Sequence, residues 1–324
     1  MIISRTPFRV SFVGGGTDLP TFYQQEQGAV ISTSIDKYVY LTVNRRFDDT
    51  LRISYSKTEI VNKVDEVQHP LFRETMRFTR ADSGVEVTSI ADIPAGTGLG
   101  SSSSFTVGLL HALHAYRGKF QSALELAEGA CHLEIGVLGH PIGKQDQYAA
   151  AFGGLRRYLF NPDGSVFVDP VICLPERRAE FFKHLMLFYL GGSRNASQIL
   201  AEQSKNTNHK MDHLRKLRTL ADCFWATLVG DSDIRELGCL MHEGWLCKKQ
   251  LATNISSDQI DHYYQLALAA GASGGKVRGA GMGGFLLLFC EPEKQDAVRD
   301  SLSELRQIAF SFEPEGSKIV YVAG

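Results

Sequence analysis

The chain has 324 residues, 44% hydrophobic and 22% charged, with a formal net charge of −2. That length suggests about two domains, and the composition is that of an ordinary globular protein. The near-neutral charge removes the basic field that nucleic-acid binding depends on. In chain order, residues 10–13 read as a strand running into Gly14-Gly15-Gly16, and 38–43, 51–55 and 85–90 are β-rich, so the first 90 residues are expected to be mostly strand and turn. The first strong helix is expected over 102–117. A second covers about 121–138, opened by a Ser122/Glu125 capping box. Pro141 and Gly143 close that region, and a short helical piece follows up to Gly153-Gly154. After a β-rich piece at 155–168 come a strand at 184–190 and a helix at 195–203. Further helices are expected near 208–228, 233–251 and 258–270, then a strand at 284–290, a helix at 292–307 and a strand at 317–322. Pro162, Asp163-Gly164, Pro170 and Pro175 put a domain boundary near 165–180. The six cysteines (131, 173, 223, 239, 247 and 290) form no CxxC and no paired framework, as expected of reduced thiols. The first residues carry no secretory apolar stretch, and no apolar run has spanning length. The expectation is a soluble cytoplasmic protein with no membrane partner.

Residues 94–104, Pro-Ala-Gly-Thr-Gly-Leu-Gly-Ser-Ser-Ser-Ser, carry the strongest chemical signal. Gly96, Gly98 and Gly100 let the backbone bend and approach a ligand closely. Ser101, Ser102, Ser103 and Ser104 stand where a helix starts, so free N–H groups and the positive dipole end face whatever the loop holds. One serine would suffice as a helix cap. The fuller set favours a phosphate cradle. No Gly-Lys-Ser/Thr follows, so it is not a P-loop, and protein-kinase signatures are absent. A literal G-x-G-x-x-G at Gly279, Gly281 and Gly284 follows a helix and precedes a strand, which is the wrong order for dinucleotide binding. A second backbone loop near phosphates is the favoured reading there.

Glu134 shares a helical face with Ala127, Ala130, Cys131 and Leu138, so its carboxylate should be partly buried and in need of a cation or donors. A salt bridge and a Mg²⁺ shared with a serine hydroxyl are equal readings. Asp146 either caps the next helix or, beside a phosphate loop and Lys144, serves as base for a hydroxyl nucleophile. Arg9 leads into Gly14-Gly15-Gly16-Thr17-Asp18, a polar open nook suited to sugar hydroxyls. Asp18 could equally cap a helix beginning Leu19-Pro20.

Three segments in order carry a resemblance: Arg9 to Asp18, Pro94-x-x-x-Gly98-Leu-Gly-Ser-Ser102, and Lys276-Val-x-Gly279-Ala-Gly-Met-Gly-Gly284. The chain resembles the GHMP kinases (galacto-, homoserine, mevalonate and phosphomevalonate kinases), and its Gly-Gly-Gly-Thr-Asp-Leu-Pro form looks like the branch of sugar 1-kinases acting on heptose phosphate and fucose. The resemblance implies an α+β fold of two domains. These would be an N-terminal half similar to ribosomal S5 domain 2 over 1–172 and a ferredoxin-like C-terminal half over 173–324, with the site between them. It implies ATP and Mg²⁺, with Ser102 and Glu134 on the metal and the glycine-serine loop on ATP. It implies Asp146 orienting or deprotonating the accepting hydroxyl with Arg9 in support. Gly15, Gly16, Thr17 and Asp18 would bind the sugar, and Arg194 a distal phosphate. The implied reaction is phosphorylation of the anomeric hydroxyl of D-glycero-D-manno-heptose 7-phosphate. The alternatives are another sugar 1-kinase, such as one acting on fucose, and a non-catalytic sensor of sugar and ATP. Ser103 and Ser104 replace the usual alanines, and Arg278 and Met282 replace the usual Ser and Gly of the third segment. The implied partner is a small sugar phosphate, and no oligomeric state follows.

Overall fold

The computed structural model describes residues 1–191, 210–252, 255–278 and 283–323. Two long strands, β1 (Ile2–Val13) and β2 (Gly28–Arg45), pair antiparallel and organise the first sheet. The first half of β2 pairs with β6 (Leu155–Phe160), and its second half with β5 (Val85–Ala91). With β3 (Leu51–Ser54), β4 (Thr58–Val61) and β12 (Lys318–Val322) the main path runs β12-β1-β2-β5-β3-β4, and β7 (Val166–Pro170) extends from β6. A short helix α1 (Pro20–Tyr23) lies between β1 and β2.

Strands β3 and β5 are parallel, so their connection must cross over. It does so through helix α2 (Pro70–Thr79), which the strand-and-turn expectation for the first 90 residues does not contain. Its signals are local. Pro70 occupies the first helical position, His69 accepts at Nδ1 from the Phe72 N–H, and Leu71, Phe72, Thr75, Met76 and Thr79 are buried at helical spacing. Helix α3 (Ser101–Tyr116) lies across β1 and β2. Helix α4 (Ala123–Cys131) carries the expected capping box but does not run on to 138; it converts to a π-helical turn, His132–Val137. Helix α5 (Gln145–Phe152) completes this layer.

Beyond α6 (Pro175–Lys183), strands β8 (Leu185–Gly191), β9 (Ala272–Arg278), β10 (Gly284–Cys290) and β11 (Arg306–Gln307) form a second, antiparallel sheet in the order β11-β8-β10-β9. Numbered from its own first strand, that is the 4-1-3-2 order of a ferredoxin-like half. Helices α7 (Met211–Val229), α8 (Glu236–Lys249), α9 (Asp258–Ala269) and α10 (Gln295–Ser301) accompany it. The expected helix at 292–307 is shorter: it ends at Ser301, and 306–307 pair with β8. The element before Gly279 is strand β9 rather than a helix, and it pairs antiparallel with β10.

After β11 the chain crosses back. Ser311, Phe312 and Glu313 bond to β2, Ser317 N–H donates to the Ala150 carbonyl at 2.9 Å, and β12 pairs with β1. The division into 1–172 and 173–324 does not account for this segment, which belongs to the first sheet. Phe12 of β1 stacks on Phe224 of α7 at 5.5 Å and meets Phe181 of α6 at 5.0 Å, and Phe181 lies 6.2 Å from Phe289 of β10, so apolar packing is continuous from one sheet to the other. Among the described residues no helix is long and apolar enough to cross a membrane.

Candidate active site

The loop before α3 takes the form its glycines allow. Gly96, Gly98 and Gly100 have φ of 77°, 82° and 78°, the left-handed region that side chains disfavour. Gly100 is the N-cap of α3, and a Cβ there would stand 3.3 Å from the Arg9 side chain. Within the loop Gly96 N–H donates to Ser101 Oγ at 3.2 Å. The first-turn N–H groups of a helix have no intrahelical partner and carry its positive end. Ser101 and Ser102 are therefore placed for an anion. Ser104 is a correction: its hydroxyl donates to the Pro7 carbonyl at 2.8 Å, its N–H to the Gly100 carbonyl at 2.8 Å, and it is fully buried. It pins α3 to β1 rather than facing a nucleotide. Ser103 is also turned inward, buried, and donates to Glu134.

Arg9 is 4% exposed and joins two parts of the site. Its Nε and Nη2 donate to the two carboxylate oxygens of Asp146 at 2.8 and 2.6 Å, and its Nη1 donates to the Gly98 carbonyl at 2.8 Å. The fork fixes the carboxylate plane, as a lysine ammonium could not. Asp146 lies in the first turn of α5, where Lys144 is the cap position, so the helix-cap reading of Asp146 fails.

Glu134 sits on the π-helical turn and is fully buried. A π turn inserts a residue into the helical ladder and re-aims side chains. Ser102 Oγ donates to one Glu134 oxygen at 2.7 Å and Gln147 Nε2 to the other at 2.8 Å. Burial raises the Glu134 pKa above its ordinary value against these donors, and Asp146 adds to the rise. The salt-bridge reading gains no support, since the donors named for Glu134 are neutral hydroxyls and an amide. Among the described residues no group of three His, Cys, Asp or Glu is arranged to hold a metal unaided. One carboxylate beside one hydroxyl suits Mg²⁺, which takes few protein ligands and completes its shell with water and phosphate oxygens.

The Gly14–Asp18 loop faces the same helix. Asp18 is buried; one oxygen accepts from Gly16 N–H at 2.8 Å and the other from Gln145 Nε2 at 3.0 Å. It does not cap α1, whose N-cap is Leu19. Burial raises the Asp18 pKa, the Gly16 N–H opposes that, and Asp146 adds to it. Gly15 and Gly16 are buried; a Cβ on Gly15 would meet Gln145 Nε2 at 3.8 Å, and Gly16 takes φ 110°, which favours glycine. Thr17 is a correction: fully buried, its hydroxyl donates to the Gly14 or Ala29 carbonyl (2.8 and 3.0 Å) and accepts from Ala29 N–H at 3.0 Å. It closes the loop and has nothing left for a sugar. Arg194 and residues 279–282 lie outside the described residues, so these two parts of the sequence reading find no counterpart here.

Four features are missing from the sequence reading. Gln145 and Gln147 flank Asp146 and reach Asp18 and Glu134 respectively; two amides beside a candidate base were a visible signal. Lys248 at the end of α8 donates to the Gly15 carbonyl at 3.3 Å, bringing the second sheet's layer to the glycine loop. A cavity of about 770 Å³ opens beside the loop, lined by Tyr55, His69, Ile93, Phe105, Gly96 and Ser102. Its aromatic walls, Phe8, Tyr55, His69 and Phe105, come from four separate segments, so no local pattern announces them.

The profile of the GHMP kinases N terminal domain matches residues 62–154, and that of the GHMP kinases C terminal domain matches 224–306, together more than half the chain. The chain is 29% identical to the D-glycero-alpha-D-manno-heptose 7-phosphate kinase of Campylobacter jejuni, over 98% of each chain. It is similar in fold to the crystal structure of a D-glycero-D-manno-heptose 1-phosphate kinase from Bacteriodes thetaiotaomicron, with a TM-score of 0.83, 23% identity and 100% of each chain covered. It is similar too to Streptococcus pneumoniae phosphomevalonate kinase in complex with phosphomevalonate and AMPPNP (TM-score 0.79, 13% identity, 97% of this chain and 100% of that one). With both domains matched, and the glycine-serine loop, the buried glutamate and the arginine-held aspartate in one place, the chain belongs to the GHMP kinase family.

Proposed function

We propose that the chain is an ATP-dependent kinase that phosphorylates the anomeric hydroxyl of D-glycero-D-manno-heptose 7-phosphate to give the 1,7-bisphosphate. The Arg9 bridge carries this reading: one guanidinium holds both oxygens of Asp146 and the Gly98 carbonyl, so base and phosphate loop share one frame. The name of the C. jejuni relative supports the choice of acceptor.

In this reading the cavity beside Tyr55, His69 and Phe105 takes the nucleotide base, and the loop glycines with the α3 N-terminus take the phosphates. The acceptor hydroxyl lies by Asp146, beside the Gly15-Gly16 backbone, which carries no side chain. Asp146 orients it and takes its proton as its oxygen bonds to the γ-phosphorus and the bond to the ADP oxygen breaks. Backbone amides at the start of α3 stabilise charge on the transferring group. Ser102 and Glu134 would hold Mg²⁺, which when bound offsets phosphate charge. Asp18 and Gln145 fix the floor of the sugar pocket. The ATP requirement goes with a cytoplasmic location.

Phosphorus NMR of the product from ATP and heptose 7-phosphate tests the assignment. A C1 phosphate signal is expected, with strong preference over the free heptose and over fucose; preference for fucose would move the chain to the other sugar. Asp146→Ala should abolish turnover while nucleotide still binds, and near-normal turnover in that variant would sink the assigned base.

A further inference from the structure

Gln147 has no place in the steps above, yet it is fully buried between the two halves of the machinery. Its Nε2 donates to Glu134 at 2.8 Å. A carboxylate only accepts, so the amide must face it with nitrogen, and the amide oxygen points away. That oxygen, Gln147 Oε1, is buried and has no hydrogen-bond partner among the described residues. Buried polar atoms are almost always paired, and one that is not needs a reason. Gln147 shares Glu134 with Ser102, and Glu134 and Ser102 are the oxygens suited to a hydrated divalent cation, whose waters donate outward.

We propose that Gln147 is a positioning residue for the metal: its nitrogen orients the Glu134 carboxylate and its oxygen accepts from a water of the cation's hydration shell. The inference rests on the kinase reading through the Ser102–Glu134 metal site. It has a consequence for coupling. Gln147 follows Asp146 directly in the first turn of α5, so the helix that carries the base also sets the metal ligand. A shift of α5 would disturb both together. Outer partners of metal ligands hold their orientation, and losing one costs about 10–100-fold in metal affinity.

The test is Mn²⁺ binding measured by electron paramagnetic resonance with a non-hydrolysable ATP analogue present, for the wild type, Gln147→Leu and Gln147→Asn. Wild type should bind Mn²⁺. The leucine variant, close in volume, should bind about 10–100-fold more weakly. Its binding of the analogue without metal, in chelator, should be unchanged, which a merely structural defect would not leave intact. The asparagine variant should recover part of the loss. Equal Mn²⁺ affinity in wild type and Gln147→Leu would overturn the role of Gln147 alone, as would an equal loss of metal-free nucleotide binding. Failure of the wild type to bind Mn²⁺ with the nucleotide would remove the metal site itself.

Discussion

Ser102 and Ser104 stand two positions apart on α3, and their hydroxyls do different work. Ser104 Oγ closes a buried bond to the Pro7 carbonyl, whereas Ser102 is exposed at the loop and meets Glu134. Successive residues of a helix point about 100° apart, so four consecutive serines cannot all face one ligand. The helix phase was thus a signal in the sequence itself that some of the four must turn inward; which ones, here Ser103 and Ser104, depends on where β1 and Glu134 lie beneath. Ser104→Ala leaves the Pro7 carbonyl buried without a donor and should cost about 1–3 kcal/mol in urea unfolding, with KM for ATP unchanged. Ser102→Ala should lose Mg²⁺-supported turnover with a smaller cost in stability, since Ser103 and Gln147 still donate to Glu134. A Ser104→Ala variant as stable as wild type but weak in ATP would return Ser104 to the nucleotide site.

The first turn of α5 is the element on which the site converges. Gln145 reaches Asp18, Asp146 reaches Arg9 and Gln147 reaches Glu134, three adjacent residues fanned onto the Gly14–Asp18 loop, the arginine that holds the glycine-serine loop, and the buried glutamate. Its other end is held by the returning C-terminal segment. Ser317 N–H bonds the Ala150 carbonyl, and a Cβ on Gly316 would collide with the Ala151 carbonyl. Ser317 Oγ also lies 3.0 Å from His111 Nδ1 on α3 and 2.8 Å from Thr6 Oγ1 on β1. The glycine-serine loop, Arg9, Glu134 and Asp146 were legible because short motifs encode backbone form and charge. The clamp was not, because 310–322 carry no motif and their partners are about 160 to 320 residues away. The clamp has a pH signature. Burial, with His114 nearby, takes the His111 imidazole from an ordinary 6.5 down to about 4. Unfolding then takes up a proton, so stability is full above 6.5 and falls as the pH drops from 6.5 towards 4. His111→Gln should flatten the slope of unfolding free energy against pH in that window; an unchanged slope would show that His111 does not contribute.

At the scale of the whole molecule the two sheets share one apolar interior. Phe12 of the first sheet lies between Phe181 and Phe224, and Phe181 leads on to Phe289 of the second. Polar links follow the same boundary: Arg218 donates to the Gln27 carbonyl at 2.9 Å, and Arg157 on β6 pairs with Asp222 while lying 4.9 Å over the Trp225 ring. The chain length suggested two domains, and domains joined by a small polar contact would melt separately. Here the contact is a core, and the C-terminal strand returns to the first sheet, so neither half can unfold without exposing the other's apolar surface. Both tryptophans, Trp225 and Trp245, lie on helices of the second half, so fluorescence reports that half while far-ultraviolet dichroism reports the whole. The two signals should give one coincident transition in denaturant. Phe224→Ala should move both midpoints together, at a cost of about 3–5 kcal/mol. Two separated midpoints in the wild type would mean that the halves are independent and that the shared core does not couple them.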